Sequence, residues 1–296
     1  MASLPTKFTF LDLFFDDSLK PLSFDDDDFI FPMFEKENRM CITGYTENVV
    51  PNYSFDEFRS HFRLTRSSFE LLLNMIMAKS PLVPNIQHGR PSVPAEKQLL
   101  LGLWFLATSE CCRILCDRFD VSKSSVKRIT RKVSEALNDL KHQMIIWPVG
   151  GKIIETADKF KAIVGFPGVI GSVDGTHIMI PRPSDHSGAY LNRKKSYSIV
   201  LQGVCDADLC FTDVYVGWPG SVHDARVYQN SSLASRMQNM PNEYHLLGDG
   251  AYPLSGSLLT PFRDFGNLTR DEKTYNWKHS ATRTTVERAF GLLKGI

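Results

Sequence analysis

The sequence predicts an α/β protein in which an all-helical N-terminal region precedes a mixed sheet with flanking helices. Three observations predict it. Apolar residues recur at helical spacing from Ser54 to about residue 160. After Gly168, strand-like runs rich in Val, Ile and Tyr follow one another closely at 169–173, 196–205 and 210–217. The pattern of core strand, Asp, Gly then occurs twice, ending at Asp174-Gly175 and at Asp249-Gly250.

The bulk numbers set bounds. With 296 residues, 43% hydrophobic and 23% charged, the chain is long enough for a sizeable interior. A net charge of +1 excludes a globally basic protein, yet the charge is uneven. Residues 1–60 carry twelve acids against five bases, so the rest of the chain is a basic body. The six cysteines lack zinc-like spacing and fit a reducing compartment. The start has Asp12 in its apolar run and no basic leader, and no stretch of about 18 apolar residues occurs, so a soluble intracellular protein is expected.

In chain order, residues 1–53 alternate aromatics with acids and read as a loosely ordered acidic leader. Ser54-x-x-Glu57 is a capping box opening a helix that carries Phe58 and Phe62, and a second helix follows over 65–76. After a Pro- and Gly-rich break at 81–94, a strongly apolar helix carries Leu99, Leu100, Leu103, Trp104 and Leu106 toward the core. Within the helical region 54–150, the segment 111–138 reads as a helix-turn-helix-like pair. A short helix at 112–119 and a turn at Asp120-Val-Ser122 lead into a helix whose Val126, Ile129, Val133 and Leu137 face inward. Lys123, Lys127, Arg128, Arg131 and Lys132 crowd its outer face with no acid among them, which suits phosphate contacts or a plain solvated face on a helical hairpin.

The second domain, 168–296, holds the acids. The first strand is expected to end at Asp174, and a buried acid there needs hydrogen bonds or a cation. A polar excursion at 181–195 carries Arg193, Lys194 and Lys195, with Tyr190 interleaved, which suits a nucleic-acid backbone. Two antiparallel strands follow, joined at Asp206-Ala-Asp208. Asp224 stands where a loop becomes a helix, as its N-cap or as a ligand. The strand before Asp249 is placed beside the first and parallel to it, through a helical crossover. A final helix over 281–294 turns Val286, Ala289, Phe290 and Leu293 inward, with Glu287 next to that seam. Such acids, brought together, repel one another unless cations neutralise them, and carboxylate oxygens suit Mg²⁺ or Mn²⁺.

Five stretches resemble the PIF/Harbinger transposases and their domesticated, nuclease-like relatives: Gly171-Ser-Val-Asp-Gly-Thr-His-Ile178, Tyr197-Ser-Ile-Val-Leu-Gln-Gly-Val-Cys-Asp206, Gly217-Trp-Pro-Gly-Ser-Val-His-Asp-Ala-Arg226, Leu247-Gly-Asp-Gly-Ala-Tyr-Pro253 and Thr285-Val-Glu-Arg-Ala-Phe-Gly-Leu-Leu-Lys-Gly295. The resemblance implies a ribonuclease H-like fold and a DDE nuclease centre that cleaves DNA with two divalent ions, Mg²⁺ or Mn²⁺. By motif, Asp174, Asp249 and Glu287 would be catalytic, and the same three with Asp224 would bind metal. Strand order favours Asp249 over Asp224 as the second member. The resemblance also implies a Myb/SANT-like partner that helps bring the protein into the nucleus, so nucleus and cytoplasm are the expected locations. Family members continue past the last motif whereas this sequence stops at Ile296, so the helix bearing Glu287 is expected to lose C-terminal support. The alternative is a catalytically inactive DNA-binding or adaptor protein that keeps the fold.

Overall fold

The computed structural model describes residues 41–79, 82, 92–108 and 110–294. The leader before residue 41 and most of the break at 81–94 lie outside the described residues. The chain divides into two units at Lys141 and His142.

The first unit is helical: α1 (Phe55–Phe62), α2 (Arg66–Lys79), α3 (Ala95–Ala107), α4 (Cys112–Phe119) and α5 (Lys123–Asp139). The capping box opens α1 as expected: Ser54 N–H donates to Glu57 Oε2 at 2.8 Å, and Glu57 N–H to Ser54 Oγ at 3.3 Å. Phe58, Phe62, Trp104, Phe119, Val126 and Val133 share one core. Helices α3 and α5 approach so closely at Gly102 that a Cβ there would lie 2.5 Å from Val133 Cγ1. Leu106 departs from its expected core position. It sits in the last turn of α3 and is 51% exposed.

Asp120, with φ of 46°, ends α4, and the Ser122 side chain caps α5 by accepting from Ser125 N–H at 3.2 Å. Lys123, Lys127, Arg128 and Arg131 are exposed, and Lys132 is half-buried. The face is not free of acids, because Glu135 pairs with Arg131 at 3.1 Å across one helical turn.

The second unit is built on a five-stranded mixed sheet of order β3-β2-β1-β4-β5. Its strands are β1 (Val169–Met179), β2 (Ser198–Cys205), β3 (Phe211–Pro219), β4 (His245–Leu247) and β5 (Leu258–Leu259). The first three form the expected antiparallel meander, with Asp206 Oδ1 accepting from Asp208 N–H and Cys210 N–H at 2.9 Å each in the hairpin turn. Strand β4 runs parallel beside β1, as expected.

Helices α6 (Gly151–Val164), α7 (Asp224–Gln229), α8 (Ser232–Gln238) and α9 (Arg270–Lys294) flank this sheet. One apolar cluster joins Ile170, Val173, Val204 and Leu246 of the sheet to Tyr228, Leu233 and Met237 of α7 and α8. Another joins Cys205 of β2 to Val286, Ala289 and Phe290 of α9. Among the described residues, no helix is long and apolar enough to cross a membrane.

Three expectations need correcting here. Strand β1 does not end at Asp174: its ladder with β2 runs from Ser172↔Cys205 to Met179↔Ser198, so the acid is mid-strand. Its ladder with β4 stops at Ser172↔Leu247, so β1 loses its parallel neighbour just before Asp174. The final helix starts at Arg270 rather than near 281, because Thr269 and Glu272 form a second capping box: Thr269 N–H donates to Glu272 Oε2 at 2.7 Å and Glu272 N–H to Thr269 Oγ1 at 3.3 Å. Leu293, expected to face inward, lies in the last turn and is 44% exposed.

Candidate active site

Asp174 is carried by β1 into the gap where β4 has stopped. Its Oδ1 accepts from Gly175 N–H at 2.8 Å, and its Oδ2 accepts from Arg283 Nη1 of α9 at 3.2 Å. Burial pushes its carboxyl up to about 6 against the pull of Arg283 and Gly175 N–H, and the negative charges of Asp249 and Asp224 add to the rise.

Asp249 follows β4 by two residues in a turn fixed by Ala251 N–H donating to Asp249 Oδ1 at 2.9 Å. Asp224 is the first residue of α7, with His223 as the N-cap, so the capping role read for Asp224 is not the one it has. Its carboxyl is also pushed up, by burial first and then by Asp249. Room for it comes from a missing side chain: a Cβ on Gly175 would lie 2.2 Å from Asp224 Oδ1. Gly175→Ala is therefore expected to displace Asp224 and lower unfolding stability by about 1–3 kcal/mol in a urea titration.

The fourth acid is held differently. Glu287 lies one turn beyond Arg283 on α9, and Arg283 Nη2 donates to its Oε1. Helix α9 is held over β1 by Thr285 Oγ1 donating to Ser172 Oγ at 3.0 Å, over β2 by Phe290 in the apolar cluster with Cys205, and against the start of β3 by Phe290 and Phe211, ring centroids 5.4 Å apart. Its N-terminal half is tied down by Asn276, which exchanges two hydrogen bonds with the Phe262 backbone at 2.8 and 2.9 Å. The structure thus brings Asp174, Asp224 and Asp249 within one another's electrostatic reach, and joins Glu287 to Asp174 through Arg283.

Among the described residues, no three His, Cys, Asp or Glu side chains form a ready-made metal cage. The donor chemistry nevertheless fits a hard divalent cation: all the acids offer oxygen, and two, Asp174 and Asp224, have carboxyls raised by burial and then by the charge of Asp249. Tyr252 supplies a further sign. Its hydroxyl is buried without a hydrogen-bond partner, and burial first, then the charges of Asp224, Asp174 and Asp249, keep it protonated.

A basic surface stands beside the acids. The loop bearing Arg193, Lys194 and Lys195 is shaped by buried Asn192, whose Oδ1 accepts from Lys194 N–H at 2.9 Å and Ser196 N–H at 3.1 Å. Asn192 Nδ2 donates to Ser198 Oγ at 3.0 Å, and His177 Nδ1 lies 3.0 Å from the same hydroxyl. Arg193 Nη2 lies 3.0 Å from His223 Nδ1, next to Asp224. Lys294 joins from the end of α9, and burial together with neighbouring Lys194 pushes its ammonium down. The other five bases, Lys123, Lys127, Arg128, Arg131 and Lys132, lie on α5 of the helical unit.

Four residues of this site escaped sequence reasoning: Arg283, Tyr252, His177 and Lys294. Arg283 had a usable signal, since it precedes Glu287 by one helical turn. Tyr252 follows Asp249 by three residues, where only the fold turns its hydroxyl toward the acids.

Acids on a strand, on the turn after its parallel neighbour and on a helix packed across the sheet define a class of protein. Residues 173–296, which include all four acids, match the family described as DDE superfamily endonuclease. The relatives are more particular. The chain is 35% identical over 209 residues to "Putative nuclease HARBI1" of Rattus norvegicus, covering 70% of this chain and 59% of that protein. It is 34% identical over 209 residues to the Homo sapiens protein of the same name, with the same coverage of each chain. "Protein ALP1-like" of Arabidopsis thaliana is 28% identical over 257 residues, covering 80% of this chain and 62% of that one. The resemblance to the Harbinger transposase-derived proteins is therefore real, and the chain spans about 59% of the length of the first of these relatives. No solved structure matches.

Proposed function

We propose that this chain is a transposase-derived, divalent-metal-dependent nuclease acting on DNA phosphodiesters, on a ribonuclease H-like fold. The observation that carries the reading is the convergence of Asp174, Asp224 and Asp249, with the carboxyls of Asp174 and Asp224 raised by burial and by the charge of Asp249, beside the Arg193–Lys194–Lys294 surface. Asp174 and Asp249 would hold Mg²⁺ or Mn²⁺ with Glu287, and Asp224 would be a further ligand. When bound, two such ions activate a water and stabilise the leaving oxygen of a phosphodiester.

The chain's own residues do the rest. Arg193, Lys194, Lys195 and Lys294 attract and orient the phosphate backbone beside the acids. The protonated Tyr252 hydroxyl is available to donate a hydrogen bond to an oxygen held among them. In the helical unit, the exposed bases of α5 supply further phosphate contacts in a helix-turn-helix-like pair. A Myb/SANT-like partner and a nuclear as well as cytoplasmic location belong to the same proposal, supported by the relatedness to Harbinger-derived proteins.

Incubation of the chain with plasmid and Mn²⁺ tests the reading. Nicking is expected with wild type, loss on adding EDTA, and a fall of at least about a hundredfold for Asp249→Ala. Equal background from both proteins would overturn catalysis. If Lys127→Glu with Arg131→Glu then abolished DNA binding while Asp249→Ala left it intact, the DNA-binding or adaptor reading would take its place.

A further inference from the structure

The clearest feature of the acid cluster is that it already contains a cation. Arg283 is 18% exposed, and its guanidinium spans the Oδ2 of Asp174 and the Oε1 of Glu287. A guanidinium cannot shed its charge, so this neutralisation is permanent while the side chain stays in place. With Gly175 N–H on Oδ1, both oxygens of Asp174 are engaged.

The guanidinium serves only part of the cluster. Arg283 makes no hydrogen bond to Asp224 or Asp249 among those formed in the described residues, yet both acids add to the field at Asp174. The helix cannot readily slide to relieve this. His279 and Thr282 before Arg283, and Thr285, Val286, Ala289 and Phe290 after it, are all buried and fix the helix on either side. The long arginine side chain is the part able to move.

We propose that Arg283 is an exchangeable counter-ion: it bridges Asp174 and Glu287 in the metal-free chain, and a divalent cation binds these two carboxylates by displacing it. This rests on the metal-dependent reading above and goes beyond it, since it makes one residue of the chain a competitor of its own cofactor. An opposite charge within about 4–6 Å changes the proton affinity of a carboxylate by tenfold to a thousandfold, and a competing metal ion meets a barrier of the same origin.

Isothermal titration of the full chain with Mn²⁺ tests it, comparing wild type with Arg283→Gln. The variant is expected to bind Mn²⁺ about tenfold tighter or more, and to gain more thermal stability on adding it than wild type does. Arg283→Lys, which keeps the charge but loses the fork that reaches both acids, is expected to fall between the two and serves if the Gln variant does not fold. Equal or weaker binding by a folded variant would overturn the proposal and make Arg283 a structural support. Absence of Mn²⁺ binding in wild type and variants alike would overturn the metal reading itself, and the exchange with it.

Discussion

Asp174→Asn, stripped of divalent metal by EDTA, is expected to need more urea to unfold at pH 7.5 than wild type does. The expectation follows from the direction of the Asp174 shift. Burial, Asp249 and Asp224 lift this carboxyl to about 6 from an ordinary 3.8, with Arg283 and Gly175 N–H only partly opposing them. The folded state therefore holds the Asp174 proton more tightly than the unfolded chain does. Below the unfolded value both states are protonated and the acid imposes no penalty. As pH rises through the window from about 4 to about 6 the folded state must bury a charge, and stability falls.

Above that window the penalty is on the order of 2–3 kcal/mol. Asparagine imitates the protonated acid, so the variant should escape the penalty at neutral pH and match wild type near pH 4. Urea titrations at pH 4, 5, 6 and 7.5 check this. A variant less stable than wild type at pH 7.5 would mean that the ion pair with Arg283 outweighs the burial.

Phe290→Ala should have the largest effect of the opposite sign, a loss of about 3–5 kcal/mol. Phe290 is buried against Cys205 and Phe211, in the space left by Gly203, where an added Cβ would lie 3.1 Å from the Phe290 ring. It is the anchor that holds α9 across β2 one turn after Glu287. Leu293→Ala, on the same helix but 44% exposed, should stay within about 0.5 kcal/mol of wild type. Denaturation midpoints of the two variants, measured side by side, separate anchoring from mere helix content.

Much of this architecture could be read from the residues because local chemistry and global fold agree. Ser54 and Glu57 start α1, Asp206 turns the hairpin, and the repeated strand-Asp-Gly pattern marks the parallel neighbours β1 and β4. The errors have equally local causes. Thr269-x-x-Glu272 is the same capping signal as Ser54-x-x-Glu57, and reading it would have started α9 at its true beginning. Strand β5 has only two residues, Leu258 and Leu259, too few to show any alternation.

Asp174 looked like a strand end because glycine and polar residues follow it, whereas pairing with β2 carries the strand on to Met179. Charge partners were the least legible part of the site. The sequence shows that Asp174 needs something beside it, but only the packing of α9 selects Arg283, 109 residues away.

The unequal ladders of β1 have a consequence for how events at the acids reach the backbone. Past Ser172 the strand keeps β2 on one side and has no β4 on the other, leaving a single-sided ribbon whose outward amides need partners. One of them, Gly175 N–H, is satisfied by Asp174 itself through Oδ1. The acid thus works as a latch on its own strand as well as a charge. Whatever draws Oδ1 away releases that amide, so local hydrogen exchange at Gly175 becomes an internal gauge of what the carboxylate is holding.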